Sequence, residues 1–174
     1  MLFARPEDRT NRRIAALVRR EASGTLSSRT RLAHRIRVDA DPALGIEGEW
    51  RSPRGRLLEL DVRTSGPGGW CALHMRFSGG LLKEAGFLGL MCSGVAPEIT
   101  RARACLRSGT REGFVDRFFD KHLLLRPEIG SHMDAVALGD RSDAPADPPW
   151  REVILFFPTR PFRATLLDFR VFTA

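Results

Sequence analysis

The sequence predicts an all-β sandwich preceded by a helical N-terminal arm, on three observations. From Gly45 onward, short apolar or alternating runs recur with Gly and Pro between them. Apart from the arm, no window of helical periodicity exceeds about a dozen residues. The arginines are unevenly spread, with ten in residues 1–40 against Glu7, Asp8, Glu21 and Asp39. That segment carries a net charge of +6, and the other 134 residues only +1.

A chain of 174 residues that is 43% hydrophobic is long enough for one domain with a substantial core and an appendage. We place the boundary after residue 44: residues 1–44 form a basic, partly helical arm, and residues 45–174 form the sandwich. Within the arm, Pro6 suits a first helical position, Glu7 and Asp8 suit the first turn, and Ile14, Leu17 and Val18 recur at helical spacing. The helix is expected over about residues 6–22, ended by Ser23-Gly24. Its other faces carry Arg12, Arg13, Arg19 and Arg20, so residues 1–40 suit attachment to a partner protein or an acidic surface. Thr25 to Ala40 is polar, with Leu32, Ile36 and Val38 offering limited burial.

Strands are expected at Leu57–Arg63, Trp70–Phe77, Gly86–Cys92, Ile99–Arg107, Gly113–Phe119, Met133–Leu138, Arg151–Phe157 and Phe162–Phe172. Between them stand SGPGG (65–69), SGG (78–80), SGTREG (108–113) and SDAPADPP (142–149), and Leu81–Ala85 suits a turn of helix. In WCALHMRF, Cys71, Leu73, Met75 and Phe77 share one face, and Trp70, His74 and Arg76 share the other. REVILFF is apolar on both faces, as befits a central strand covered on both sides. In the last strand, alternation sets Leu167, Phe169 and Val171 against Leu166, Asp168 and Arg170.

No apolar run approaches the length of a membrane-spanning helix, and Met1 to Arg5 leads into a charged segment, so a cytoplasmic protein without a membrane span is expected. Cys71, Cys92 and Cys105 are an odd set with no CxxC, which suits free thiols. No His or Cys stands at finger-like spacing to them, and neither a metal nor a cofactor is expected.

Three stretches resemble the galactose-binding-like jelly roll of non-catalytic carbohydrate-binding modules. They are the Trp-led strand GGWCALHMRF, the block from GFLGLMCSG through ITRARACLRS, and the closing pair WREVILFFP and FRATLLDFRVF. The resemblance covers roughly residues 45–174. It implies a curved sheet whose concave face binds a glycan through polar and aromatic side chains. The chain has no Tyr and only Trp50, Trp70 and Trp150, so a charged or phosphorylated glycan suits its arginines better than a neutral polymer.

TRARACLRS places Arg101, Arg103 and Arg107 on one face of a strand, with Ala102, Ala104 and Leu106 on the other. Should this strand and Trp70–Phe77 share a sheet, Trp70, His74 and Arg76 join that file, with Asp116 beside it. These seven residues are the expected site, for a saccharide or other anionic ligand. Asp116 shares a side with Phe114 and Phe118, and a carboxylate among apolar neighbours needs a cation, for which Arg107 across the turn is the natural choice. His132 and Asp134 are spaced to share a strand face, where with His122 they suit a metal or an oriented imidazole. Trp150 is expected to anchor a strand start.

Glycoside hydrolysis needs two facing carboxylates, and nothing selects such a pair among Asp116, Asp120, Glu152 and Asp168. No GxSxG, P-loop, dinucleotide fingerprint or HExxH is present, so catalysis has no positive support and no catalytic residue is assigned. Two other classes stay open: an assembly domain using the same face for protein contact, including a second copy in a homo-oligomer, and nucleic-acid binding through the basic arm.

Overall fold

The computed structural model describes residues 6–77, 85–138, 145 and 148–173. The turn of helix expected at Leu81–Ala85 lies mostly outside them, as do the SGG turn and most of SDAPADPP. Alternating burial builds the fold directly. In β3 (Ile36–Ala40), β4 (Glu47–Arg51) and β5 (Leu58–Arg63) every second side chain is buried, as a sheet packed on one side requires.

The remaining strands are β1 (Ser23–Leu26), β2 (Arg29–Ala33), β6 (Cys71–Phe77), β7 (Phe87–Val95), β8 (Thr100–Gly109), β9 (Phe114–Leu125), β10 (Gly130–Ala137), β11 (Arg151–Phe157) and β12 (Phe162–Thr173). They form two six-stranded antiparallel sheets. Sheet A has the order β1-β4-β5-β12-β7-β10, and sheet B the order β2-β3-β6-β11-β8-β9. Their inward faces enclose one core that includes Leu58, Leu60, Leu73, Leu90, Leu106 and Leu155. Burying each of these side chains contributes about 1.5–3 kcal/mol. The expected all-β sandwich is therefore present, and β11 is the covered central strand that REVILFF suggested.

Two expectations need correction. The boundary after residue 44 falls inside the sandwich, because β1, β2 and β3 are members of the two sheets and α1 (Pro6–Arg20) is docked on them. Ile14 and Leu17 of α1 are buried in the common core. The side-chain amide of Asn11 donates to the Val171 carbonyl (2.8 Å) and accepts from the Val171 N–H (2.9 Å). Beyond Leu166, β12 pairs with β7 but has no further pairing with β5, so Asn11 supplies the hydrogen bonds that a neighbouring strand would. The buried Ser52 hydroxyl lies 2.9 Å from the Leu17 carbonyl, one of the last four carbonyls of the helix, which lack partners along it.

The second correction concerns β12. Its register shifts between Leu166 and Asp168, and both Leu166 and Phe169 are buried. A bulge adds one residue there and resets the alternation, so Leu166 faces the core with Phe169 and Val171, rather than opposing them.

Candidate functional site

Two strands of sheet B carry the arginine file and its neighbours. β6 and β8 lie on either side of β11, so His74 and Arg76 share the outer face with Arg101, Arg103 and Arg107. Directly opposed residues share a face. One row across the sheet runs Arg37, His74, Ile154, Cys105, Phe118, and the next runs Asp39, Ala72, Phe156, Arg103, His122.

The middle of this face is apolar. Ala72, Cys105 and Ile154 are fully buried, with the half-buried Phe118 and Phe156 packed on them. The two rings lie 5.8 Å apart and tilted by 39°. A purely solvent-washed sheet face would not bury three such side chains.

Around this floor the arginines differ in how they are held. Arg107 forms a two-pronged pair with Asp116, at 2.6 and 2.7 Å, and lies 3.8 Å over the Phe114 ring. The pairing expected from the sequence is therefore present, with both Asp116 oxygens engaged. Arg103 lies 4.1 Å over the Phe118 ring, and Arg76 lies 5.0 Å over Trp150. Arg101 is exposed opposite Leu124. Among the described residues Arg76, Arg101 and Arg103 have no carboxylate partner. Three guanidiniums on one face thus have no counter-charge among the described residues, and two of them lie over aromatic rings.

His74 has a different surrounding from the one expected. It is 3% exposed, and its Nδ1 lies 2.9 Å from the Glu152 carboxylate, itself 3% exposed. Arg37 donates to both Glu152 oxygens (2.9 and 3.3 Å) and to Asp39 (2.6 Å). Burial alone would raise the Glu152 pKa, but hydrogen bonds from His74 and Arg37 outweigh it and hold the carboxyl at about 2. His74 is thus held in a buried cluster with Glu152 and Arg37 on the same outer face, toward β3. Trp70 is 39% exposed and stands just before β6, with no ring contact to the arginines among the described residues.

Sequence reasoning missed Arg37, Asp39, Glu152 and the ring pair Phe118 and Phe156. The signal for Glu152 was a carboxylate in an otherwise apolar central strand, which demands a buried cation. Its partner is 115 residues away, beyond any local pattern.

His132 and Asp134 do share a face. Asp134 accepts from the Lys121 backbone N–H at 2.8 Å, which links β10 to β9 across the seam between the sheets. No group of three or more His, Cys, Asp or Glu side chains suits a metal among the described residues. Burial lowers the His132 pKa. Cys71, Cys92 and Cys105 are buried free thiols whose pKa burial pushes up to about 12. Trp150 packs over Gly109, where an added Cβ would lie 2.4 Å from the indole nitrogen. No helix among the described residues is long and apolar enough to cross a membrane.

No family model matches the sequence, and no curated protein matches it. Among solved structures, the chain is similar to the family 11 carbohydrate-binding module from Clostridium thermocellum in complex with a β-1,3-1,4-mixed-linked tetrasaccharide. That match has 7% identity, covers 88% of each chain and has a TM-score of 0.50. The CBM22-1 xylan-binding domain from Paenibacillus barcinonensis Xyn10C matches at 7% identity over 87% of this chain and 85% of that one, with a TM-score of 0.47. At such identities the likeness concerns the fold. With its two six-stranded antiparallel sheets, the chain adopts the jelly-roll β-sandwich fold of carbohydrate-binding modules.

Proposed function

We propose that the protein is a saccharide-binding module whose ligand, bearing anionic or strongly polar groups, lies on the outer face of sheet B. The observation that carries this reading is Arg103. Its guanidinium lies 4.1 Å over the Phe118 ring, beside Phe156, with no carboxylate partner among the described residues. A sugar ring needs an apolar plane for its C–H face and charged groups for its hydroxyls or acid groups, and this corner offers both. Arg107 and Asp116 neutralise each other and frame the platform, while Arg37, His74 and Glu152 fix the strands toward β3. Nothing in this arrangement calls for a bond to be broken, so binding alone is assigned.

The test is a glycan and phosphosugar array run on the wild type and on Arg103→Ala. Losing one exposed stacked guanidinium costs the fold about 0.5–1 kcal/mol, so the variant stays folded. Binding should fall at least tenfold, and binding that ignores the substitution would put the site elsewhere. A second reading, assembly through the same face, draws on the exposed Phe114 and Leu124. It predicts a dimer in sedimentation that Arg103→Ala dissociates, with no retention on any glycan.

A further inference from the structure

The hairpin of β2 and β3 forms the edge of sheet B farthest from Arg103. It encloses a hollow of about 370 Å³ lined by Arg29, Arg31, Ala33, Arg35, Ile36 and Arg37. Four arginines line this space, and no carboxylate does among the described residues. Arg31 stands directly opposite Arg37, and Arg29 directly opposite Asp39. Arg37 is offset by Asp39 and Glu152, so the charge of this opposed pair without a counter-ion among the described residues is that of Arg31.

The two carboxylates on Arg37 are partly committed, with Asp39 Oδ1 left without a hydrogen bond among the described residues. Asp39 and Glu152 both accept from Arg37. Arg31 meets only the Ala33 carbonyl, at 3.4 Å, and neither Arg29 nor Arg31 has a carboxylate partner among the described residues. A further cation stands nearby. Burial, then the like charges of Arg35 and Arg9, lower the pKa of Arg13 on α1. Arg29, Arg31 and Arg37 lie in register with the outer face of sheet B, on the same side as the proposed saccharide platform.

We propose that this hairpin hollow is an anion subsite that takes an acid group of the ligand, carboxylate or sulfate, and that the ligand is accordingly an acidic saccharide carrying more than one such group. This rests on the saccharide reading above and adds its charge class and the position of a second contact. Cross-strand register carries the two contacts in line. Arg29, Asp39, Ala72, Phe156 and Arg103 succeed one another across adjacent strands. Four strand spacings put Arg29 roughly 19 Å from Arg103, a distance that an oligosaccharide bridges and a monosaccharide does not. One acid group would meet Arg29 and Arg31, and another Arg103, with the intervening ring over Phe156.

The experiment compares wild type, Arg29→Gln/Arg31→Gln and Arg103→Ala on immobilised neutral, uronate-bearing and sulfated oligosaccharides, at low and moderate salt, with inorganic sulfate as competitor. Arg29 and Arg31 are exposed, so the double variant should melt with the wild type. The expected result is binding confined to the acidic ligands, weakened tenfold or more in the hairpin variant and with a shallower salt dependence. The uronate and sulfate arms then name the acid group. Neutral saccharides bound through Arg103 with no effect of the hairpin variant would overturn the subsite and leave the saccharide reading standing. Loss of every saccharide by the wild type would overturn both. Duplex DNA retained by the wild type, and lost in the hairpin variant, would replace the saccharide with a nucleic acid.

Discussion

Replacing Glu152 by Gln keeps the volume of the side chain and removes its charge, which tests whether the ionic cluster on the outer face of sheet B stabilises the fold. Glu152 is 3% exposed and sits between His74 and Arg37. Its carboxyl is held at about 2 against an ordinary 4.5. At about 1.4 kcal/mol per pKa unit, that depression corresponds to about 3 kcal/mol favouring the ionised folded form. Because the folded pKa lies below the unfolded one, this stabilisation is complete above about pH 4.5 and is lost as pH falls through about 2. Glu152→Gln should therefore lower stability by about 3 kcal/mol at pH 7, equivalent to roughly 6–12 °C in melting temperature for a chain of this size. Guanidinium denaturation at pH 7 and pH 3 measures it, and the gap should shrink to under half at the lower pH. Equal stability at pH 7, or a gap of unchanged size at pH 3, would refute the assignment of Glu152 as an ionised partner of Arg37 and His74.

Asn11→Ala removes both hydrogen bonds to the Val171 backbone and should cost about 2 kcal/mol, with faster hydrogen exchange at the Val171 amide as the local signature. Gly109→Ala brings a Cβ to 2.4 Å from the Trp150 indole nitrogen. The ring must move, so the variant should lose about 1–2 kcal/mol and show altered near-ultraviolet circular dichroism and tryptophan fluorescence.

Where two-residue alternation was clean, the sequence was informative. β6, β8 and β11 were expected within two residues of where they lie, and the shared outer face of His74, Arg76, Arg101, Arg103 and Arg107 followed from the same rule. Strands β1 to β4 were missed because they are only four or five residues long and their outward positions are small, polar or charged, with arginines in β2 and β3, which gives them the composition of solvated segments. Ile36, Val38 and Ala40 did alternate, but a five-residue signal cannot show whether a sheet exists to receive it. The bulge in β12 left no composition mark, since Leu166 and Leu167 are equally apolar. The support made by Arg37, His74 and Glu152 joins three strands, and only tertiary packing brings them into contact.

The positions of β11 and β12 bear on how the protein is made. β12 is flanked by β5 and β7, and β11 by β6 and β8. Until these two segments leave the ribosome, each half of the fold is an incomplete ribbon with an apolar edge open on the side where its missing neighbour belongs. Closure must await synthesis of residues 151–173, and until then the strands made before them carry exposed edges. Such a topology favours slow, late-committing folding, and makes residues 151–173 the segment whose truncation would leave two unjoined pairs of half-sheets.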